Sequence, residues 1–86
     1  MNIMHKDKPN SLDPKMVLFF KTGKERYTFQ KFEWEEGCGW VLLSVDSTDD
    51  LKRTYHRLKR QGYRSVCACE ECRGRILSEG KPAHNV

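Results

Sequence analysis

Three of the four cysteines lie within six residues, as Cys67-x-Cys69-x-x-Cys72, and this spacing constrains the chain more than any other feature. The fourth, Cys38, lies upstream between two glycines. Two thiolates separated by two residues can bind one tetrahedral ion, as they do in structural zinc sites. A chain of 86 residues buries only a small core, so a metal ion would add substantially to its stability.

We therefore predict one structural zinc ion per chain, held by four thiolates. The predicted ligands are Cys38, Cys67, Cys69 and Cys72. If a strand continued through Cys67, that residue would be a buried apolar side chain instead. A histidine would then have to complete the site. The candidates, in order of preference, are His84, His56 and His5.

The sequence also allows other states of the cysteines. They can remain reduced and unliganded, as small apolar side chains or idle surface thiols. A redox or disulfide role is less favoured, because Glu70 and Glu71 lie between the last two thiols and oppose a thiolate. An iron–sulfur cluster is least favoured, because the repeated spacing of ferredoxins is missing from the sequence.

The apolar pattern predicts a small α+β fold in the order β-β-β-α-β. Met16–Phe20 and Arg26–Glu33 are predicted as the first two strands of an antiparallel meander. Trp40–Val45 is almost continuously apolar, so we expect this third strand at the centre of the sheet. Residues 64–69 are predicted as a last strand that leads into the cysteine knuckle.

One helix is predicted between the third and fourth strands. Leu51, Tyr55 and Leu58 recur at helical spacing and form one apolar stripe. Ser47, with an acidic residue three positions later, fits a capping box. The predicted helix runs from about residue 48 to residue 61.

Polar, aperiodic segments flank this predicted body. We expect residues 1–14 to be a flexible N-terminal tail, 15–77 to be one small domain, and 78–86 to be a flexible C-terminal tail. No apolar run is long enough to cross a membrane, and the first residues lack the apolar stretch of a secretory signal. The expected location is therefore the cytoplasm, where disulfides are disfavoured.

Positive charge is concentrated in the second half of the chain. The net charge is +4, yet the stretch from Leu51 to Arg75 holds eight basic residues and two acidic ones. A basic helix face of this kind can contact nucleic-acid phosphates, or it can be an ordinary solvated surface. The residues predicted to contact phosphates are Lys52, Arg53, Arg57, Lys59, Arg60, Arg73 and Arg75.

No catalytic motif is present. The sequence has neither a glycine-rich phosphate loop nor a G-x-S-x-G nucleophile motif, so we expect no enzyme and no small-molecule substrate. The first hypothesis is an accessory or regulatory protein that is stabilised by zinc and associates with nucleic acid through its basic helix face. The alternative is a protein-interaction or inhibitor module of the kind that bacteria and phages encode. A thiol redox protein is the third.

Overall fold

A five-stranded antiparallel sheet with one helix on each face forms the fold of this protein, in a computed structural model that describes residues 2–6 and 14–80. The strand order across the sheet is β4-β3-β2-β1-β5. The elements in chain order are β1 (Asn2–Lys6), β2 (Lys15–Gly23), β3 (Arg26–Glu35), β4 (Gly39–Thr48), α1 (Leu51–Arg60), β5 (Arg64–Val66) and α2 (Glu70–Glu79). The predicted α+β class is confirmed, whereas the predicted element order lacked β1 and α2.

β1 corrects the prediction of an N-terminal tail. Asn2–Lys6 pairs with β2 on one side and with β5 on the other, so this segment lies inside the sheet. Ile3, Met4 and His5 are almost completely buried. A five-residue strand with a histidine carries little apolar periodicity, which is why the sequence pattern did not reveal it. The rest of the expected tail, residues 7–13, lies outside the described residues.

The two faces of the sheet carry separate apolar clusters, because successive side chains on a strand point in opposite directions. On one face, Met4, Phe19 and Phe29 pack with Leu58 of α1. On the other, a second set of strand residues packs with Ile76 of α2. This second set consists of Ile3, Met16, Leu18 and Val66. α1 and α2 therefore lie on opposite sides of the sheet.

The predicted helix is present as α1, three residues shorter at its start. Asp50, and not Ser47, caps it, since the Asp50 carboxylate accepts the backbone N–H of Arg53 at 3.0 Å. Gly62 ends it with a φ of 101°, a conformation that glycine adopts at little cost. The N–H of Tyr63 then donates to the carbonyl of Leu58 at 3.1 Å, which closes a Schellman turn.

The segment after α1 differs most from the prediction. The last strand ends at Val66, and α2 follows from Glu70 to Glu79, where the sequence suggested a knuckle and a flexible tail. Only Cys72 and Ile76 of α2 are buried, four residues apart, and such a short apolar stripe gives a weak helical signal. Residues 81–86 of the expected C-terminal tail lie outside the described residues.

β4 lies at the edge of the sheet and not at its centre. It pairs with β3 alone among the strands that the structure describes, and the central position is taken by β2. Four of its apolar side chains consequently remain exposed. These are Val41, Leu42, Leu43 and Val45. An almost continuous apolar run predicted burial on both faces, which this strand does not have.

Candidate metal centre

The three clustered cysteines occupy the junction between β5 and α2. Cys67 follows the end of β5 directly, Cys69 is the N-cap residue of α2, and Cys72 lies in the first turn of that helix. Their sulfur atoms lie within 4.8 Å of one another. This group can therefore hold a metal ion.

Two features of the backbone bring the cysteines together, the end of β5 at Val66 and the start of α2 after Cys69. Because β5 ends at Val66, the strand does not continue through Cys67, and the alternative in which Cys67 is only a buried strand residue does not apply. Cys69 then adopts an extended conformation, and its Sγ accepts the backbone N–H of Cys72 at 3.5 Å. The next backbone bond, from the N–H of Arg73 to the carbonyl of Cys69 at 2.8 Å, begins the helix.

The spacing of the sulfurs suits a tetrahedral thiolate site. Zinc–sulfur bonds of about 2.3 Å place two sulfurs on one ion about 3.8 Å apart. The observed limit of 4.8 Å between donor atoms is therefore about 1 Å from the bound geometry. Rotation of the exposed Cys69 side chain and of the half-buried Cys67 can supply that change, since neither is tightly enclosed.

The surroundings of Cys69 and Cys72 shift the pKa values of their thiols in opposite directions. The backbone N–H of Cys72 stabilises the Cys69 thiolate most strongly, the thiols of Cys72 and Cys67 assist, and together they lower the pKa of Cys69. Burial raises the pKa of Cys72 to about 12, with further contributions from the neighbouring thiols of Cys69 and Cys67. The exposed sulfur is thus the more readily ionised one, while the buried sulfur keeps its proton at neutral pH.

Cys38 is not part of this group. It lies exposed in the turn between β3 and β4, near Glu35, whose carbonyl accepts its backbone N–H at 3.0 Å. The strand register pairs Glu35 with Gly39 at this end of the sheet, whereas Val66 pairs with Ile3 toward the opposite end. The β3–β4 turn and the β5–α2 junction therefore lie at opposite ends and opposite edges of the sheet. The sequence could not place them, because glycines flanking a cysteine do not specify which end of a sheet they occupy.

None of the three histidines joins the cluster among the residues that the structure describes. His5 is buried in β1, with its Nε2 2.9 Å from the carbonyl oxygen of Gly80. His56 is exposed on α1, on the other side of the sheet from α2. His84 lies outside the described residues.

The residues predicted to contact phosphates divide into two groups. The five on α1 are all exposed, and four side chains of that face surround a shallow surface cavity together with Asp50. These four are Lys52, Arg53, His56 and Arg60. Arg73 and Arg75 belong to α2 and lie on the opposite face of the sheet, so the seven residues do not form one continuous surface.

The sequence did not lead us to predict that a helix begins at Cys69. A Cys-x-x-Cys pair at the first turn of a helix can bind a metal or can be oxidised to a disulfide. Glu70 and Glu71 project from this first turn as exposed side chains, where the helix dipole favours acidic groups. The sequence signal was therefore present in the two glutamates and in Gly80, which caps the other end of α2 with a φ of 80°.

No family model, curated protein or solved structure matches this chain. Within residues 2–6 and 14–80, neither helix has the length and apolar character needed to cross a bilayer.

Proposed function

We propose that this protein is a small metal-binding module that holds one zinc ion through Cys67, Cys69 and Cys72 and acts by binding other molecules. The convergence of three sulfur atoms within 4.8 Å carries this proposal. Three thiolates, one of them buried, form a soft donor set of the kind that zinc prefers over magnesium or calcium. A fourth ligand from solvent, a partner or residues 81–86 completes the tetrahedron.

The role of the ion in this proposal is structural. Cys67 follows β5, and Cys72 is a buried residue in the first turn of α2, so one ion would join the end of the sheet to the start of the helix. α2 has only two buried side chains to hold it against the sheet. A metal at its first turn would therefore add to the stability of a helix that buries few side chains.

Metal analysis of the purified chain tests the proposal. We expect one zinc ion per chain, and we expect Cys72→Ser to weaken zinc affinity at least about 100-fold because one thiolate is lost. Cys38→Ser is the matched control, since it removes a cysteine at the other end of the sheet and should retain the metal. Substitution by cobalt(II) then reports the number of thiolates from its absorption spectrum. A wild-type chain without bound zinc, or equal loss in both variants, would overturn the proposal.

As a second function, we propose that the exposed basic face of α1 binds the phosphate backbone of a nucleic acid. The supporting observation is that five cations and His56 all lie at the surface of one ten-residue helix. The interaction would be electrostatic and independent of sequence, so its affinity should fall steeply as salt concentration increases. This proposal uses Lys52, Arg53, Arg57, Lys59 and Arg60 and leaves out the two arginines of α2.

The position of α2 supplies the control for this second proposal. Reversal of Arg53, Arg57 and Arg60 to glutamate should abolish retention on DNA or RNA at low salt. Reversal of Arg75 on the other face of the sheet should have a much smaller effect, because the two faces cannot contact one duplex surface together. If the wild-type chain is not retained at low salt, the nucleic-acid proposal is overturned, and the alternative predicted from the sequence, a protein-interaction module, is the one to test next. A cytoplasmic location remains a prediction.

A further inference from the structure

β4 is an edge strand that lacks two of the features that normally prevent edge pairing, protective lysine or proline residues and a very short length, although it carries a β-bulge at Leu43. It has ten residues, and its outer side has no strand neighbour among the residues that the structure describes. Lys, Arg and Pro are all missing from its sequence, and Asp46 is its single charged residue. Soluble proteins usually protect a long edge with such residues or with a very short edge strand. The opposite edge is protected in this way, because β5 has three residues and exposes Arg64.

The apolar side chains of β4 are exposed to a degree that the fold does not require. Leu42, Leu43 and Val45 are 49%, 52% and 52% exposed. Next to them on β2 and β3, Phe20 and Phe32 are only partly buried on the α2 side of the sheet. An exposed apolar surface along the unpaired edge of a strand is typical of an interaction site.

We propose that β4 pairs with β4 of a second copy of this chain, in antiparallel orientation about a two-fold axis near Leu43. A two-fold axis brings the same surface of both copies together, so the pairing needs self-complementarity. The apolar segment from Val41 to Val45 meets itself in this arrangement, and exposed apolar side chains cover one another. The result is one continuous ten-stranded sheet.

The distribution of charge favours a second copy as the partner. With the axis near Leu43, the two Asp46 carboxylates lie about 20 Å apart along the strands, because three residues separate each from the axis. The cationic face of α1 also lies away from this edge, since α1 packs over Met4, Phe19 and Phe29 on the inner strands. The net charge of +4 therefore does not concentrate where the two copies meet.

β4 has one interruption in its pairing with β3. The β3–β4 register shifts at Leu43, since Lys31 pairs with Ser44 and Phe32 with Leu42, and this leaves Leu43 with no residue opposite it. Pairing is regular on both sides of this bulge, from Tyr27–Thr48 to Lys31–Ser44 and from Phe32–Leu42 to Glu35–Gly39. Ten strand residues extend about 33 Å, close to the 37 Å longest dimension of the molecule, so pairing would use nearly the whole edge.

Sedimentation velocity of the full chain, at concentrations from a few micromolar to several hundred micromolar, tests this inference. We expect the wild-type chain to form a dimer of twice its 10.1 kDa mass. Leu43→Lys should raise the dimer dissociation constant at least about 100-fold, because two ammonium groups meet at the axis. Leu77→Lys is the matched control, since Leu77 is 46% exposed on α2, and this variant should dimerise as the wild type does.

Hydrogen exchange of the wild-type chain keeps the test decisive if Leu43→Lys fails to fold. In a dimer, the outward amides of β4 become protected as the concentration rises and lose that protection on dilution. A monomer whose β4 amides are protected at every concentration would indicate that residues 81–86 cover the edge. A monomer with unprotected β4 amides would indicate that a different protein covers it. Either result overturns the inference, as would equal dissociation of the two lysine variants.

Discussion

The Nε2 atom of His5 lies 2.9 Å from the carbonyl oxygen of Gly80, so residues 75 positions apart meet inside the protein. His5 belongs to the inner strand β1, and Gly80 is the C-cap residue of α2. The ring of His5 also contacts Trp40 edge-on, with ring centroids 6.1 Å apart. Trp40 in turn donates its indole N–H to the carbonyl of Ile76 at 2.6 Å. The first strand and the last helix are thereby joined through the same few side chains.

His5→Phe should destabilise the protein by about 1–3 kcal/mol, the usual effect of removing one partner from a buried hydrogen bond. The phenyl ring retains most of the volume, so the loss reports the contact with Gly80 and not a large cavity. Urea unfolding, followed by circular dichroism, measures this change in the free energy of unfolding. His56→Phe is the control, because His56 is exposed on α1 and the change should stay within about 0.5 kcal/mol. Equal effects of the two substitutions would contradict the contact.

Substitution of the two glycines of α2 should change stability in opposite directions. Gly80 has a φ of 80°, and a Cβ there would lie 2.7 Å from Cδ2 of Trp34, so Gly80→Ala should cost at least about 1–2 kcal/mol. Gly74 lies inside the helix, where a Cβ would meet no atom within 4 Å. Gly74→Ala should therefore stabilise the protein by about 0.4–1 kcal/mol. The same unfolding measurement compares both, and a stable Gly80→Ala variant would argue against the observed end of α2.

Zinc affinity should increase with pH. Burial and neighbouring thiols raise the pKa of Cys72 to about 12, so this sulfur carries a proton at neutral pH that the ion must displace. Each proton released makes the affinity rise about tenfold per pH unit below that pKa. Competition with a chromophoric chelator at pH 6, 7 and 8 measures the slope. A flat profile would show that a different set of ligands holds the ion.

Alkylation should separate the thiols of the cluster. The N–H of Cys72 is the main group that lowers the pKa of Cys69, and Cys69 is also exposed, so it should react with iodoacetamide well before the buried Cys72. Its reaction should also persist to a lower pH than that of an ordinary thiol. Mass spectrometry of timed samples locates the modified residues. Zinc should slow the reaction at Cys69 and leave exposed Cys38 unaffected, whereas faster labelling of Cys72 would contradict the geometry.

Local signals in the sequence were sufficient for part of the fold. The spacing of Leu51, Tyr55 and Leu58 identified α1, because one helix face must be apolar wherever it packs. The apolar runs around Phe19, Phe29 and Trp40 identified β2, β3 and β4. Each of these inferences depends on contacts within a few residues, which a linear pattern can represent. The pattern could not show that β4 lies at an edge, since burial of a strand depends on which other strands flank it.

The sequence by itself determined that Cys67, Cys69 and Cys72 stay close together, because six residues of chain cannot separate them widely, and it determined the charge of α1. The tertiary structure decided which further residues share a surface with them. It made Asn2–Lys6 an inner strand, placed Arg75 across the sheet from α1, and put Cys38 at the end of the sheet away from Cys69. These relationships depend on strand order and on the face that each helix covers. Both follow from long-range pairing and burial, which no short segment encodes.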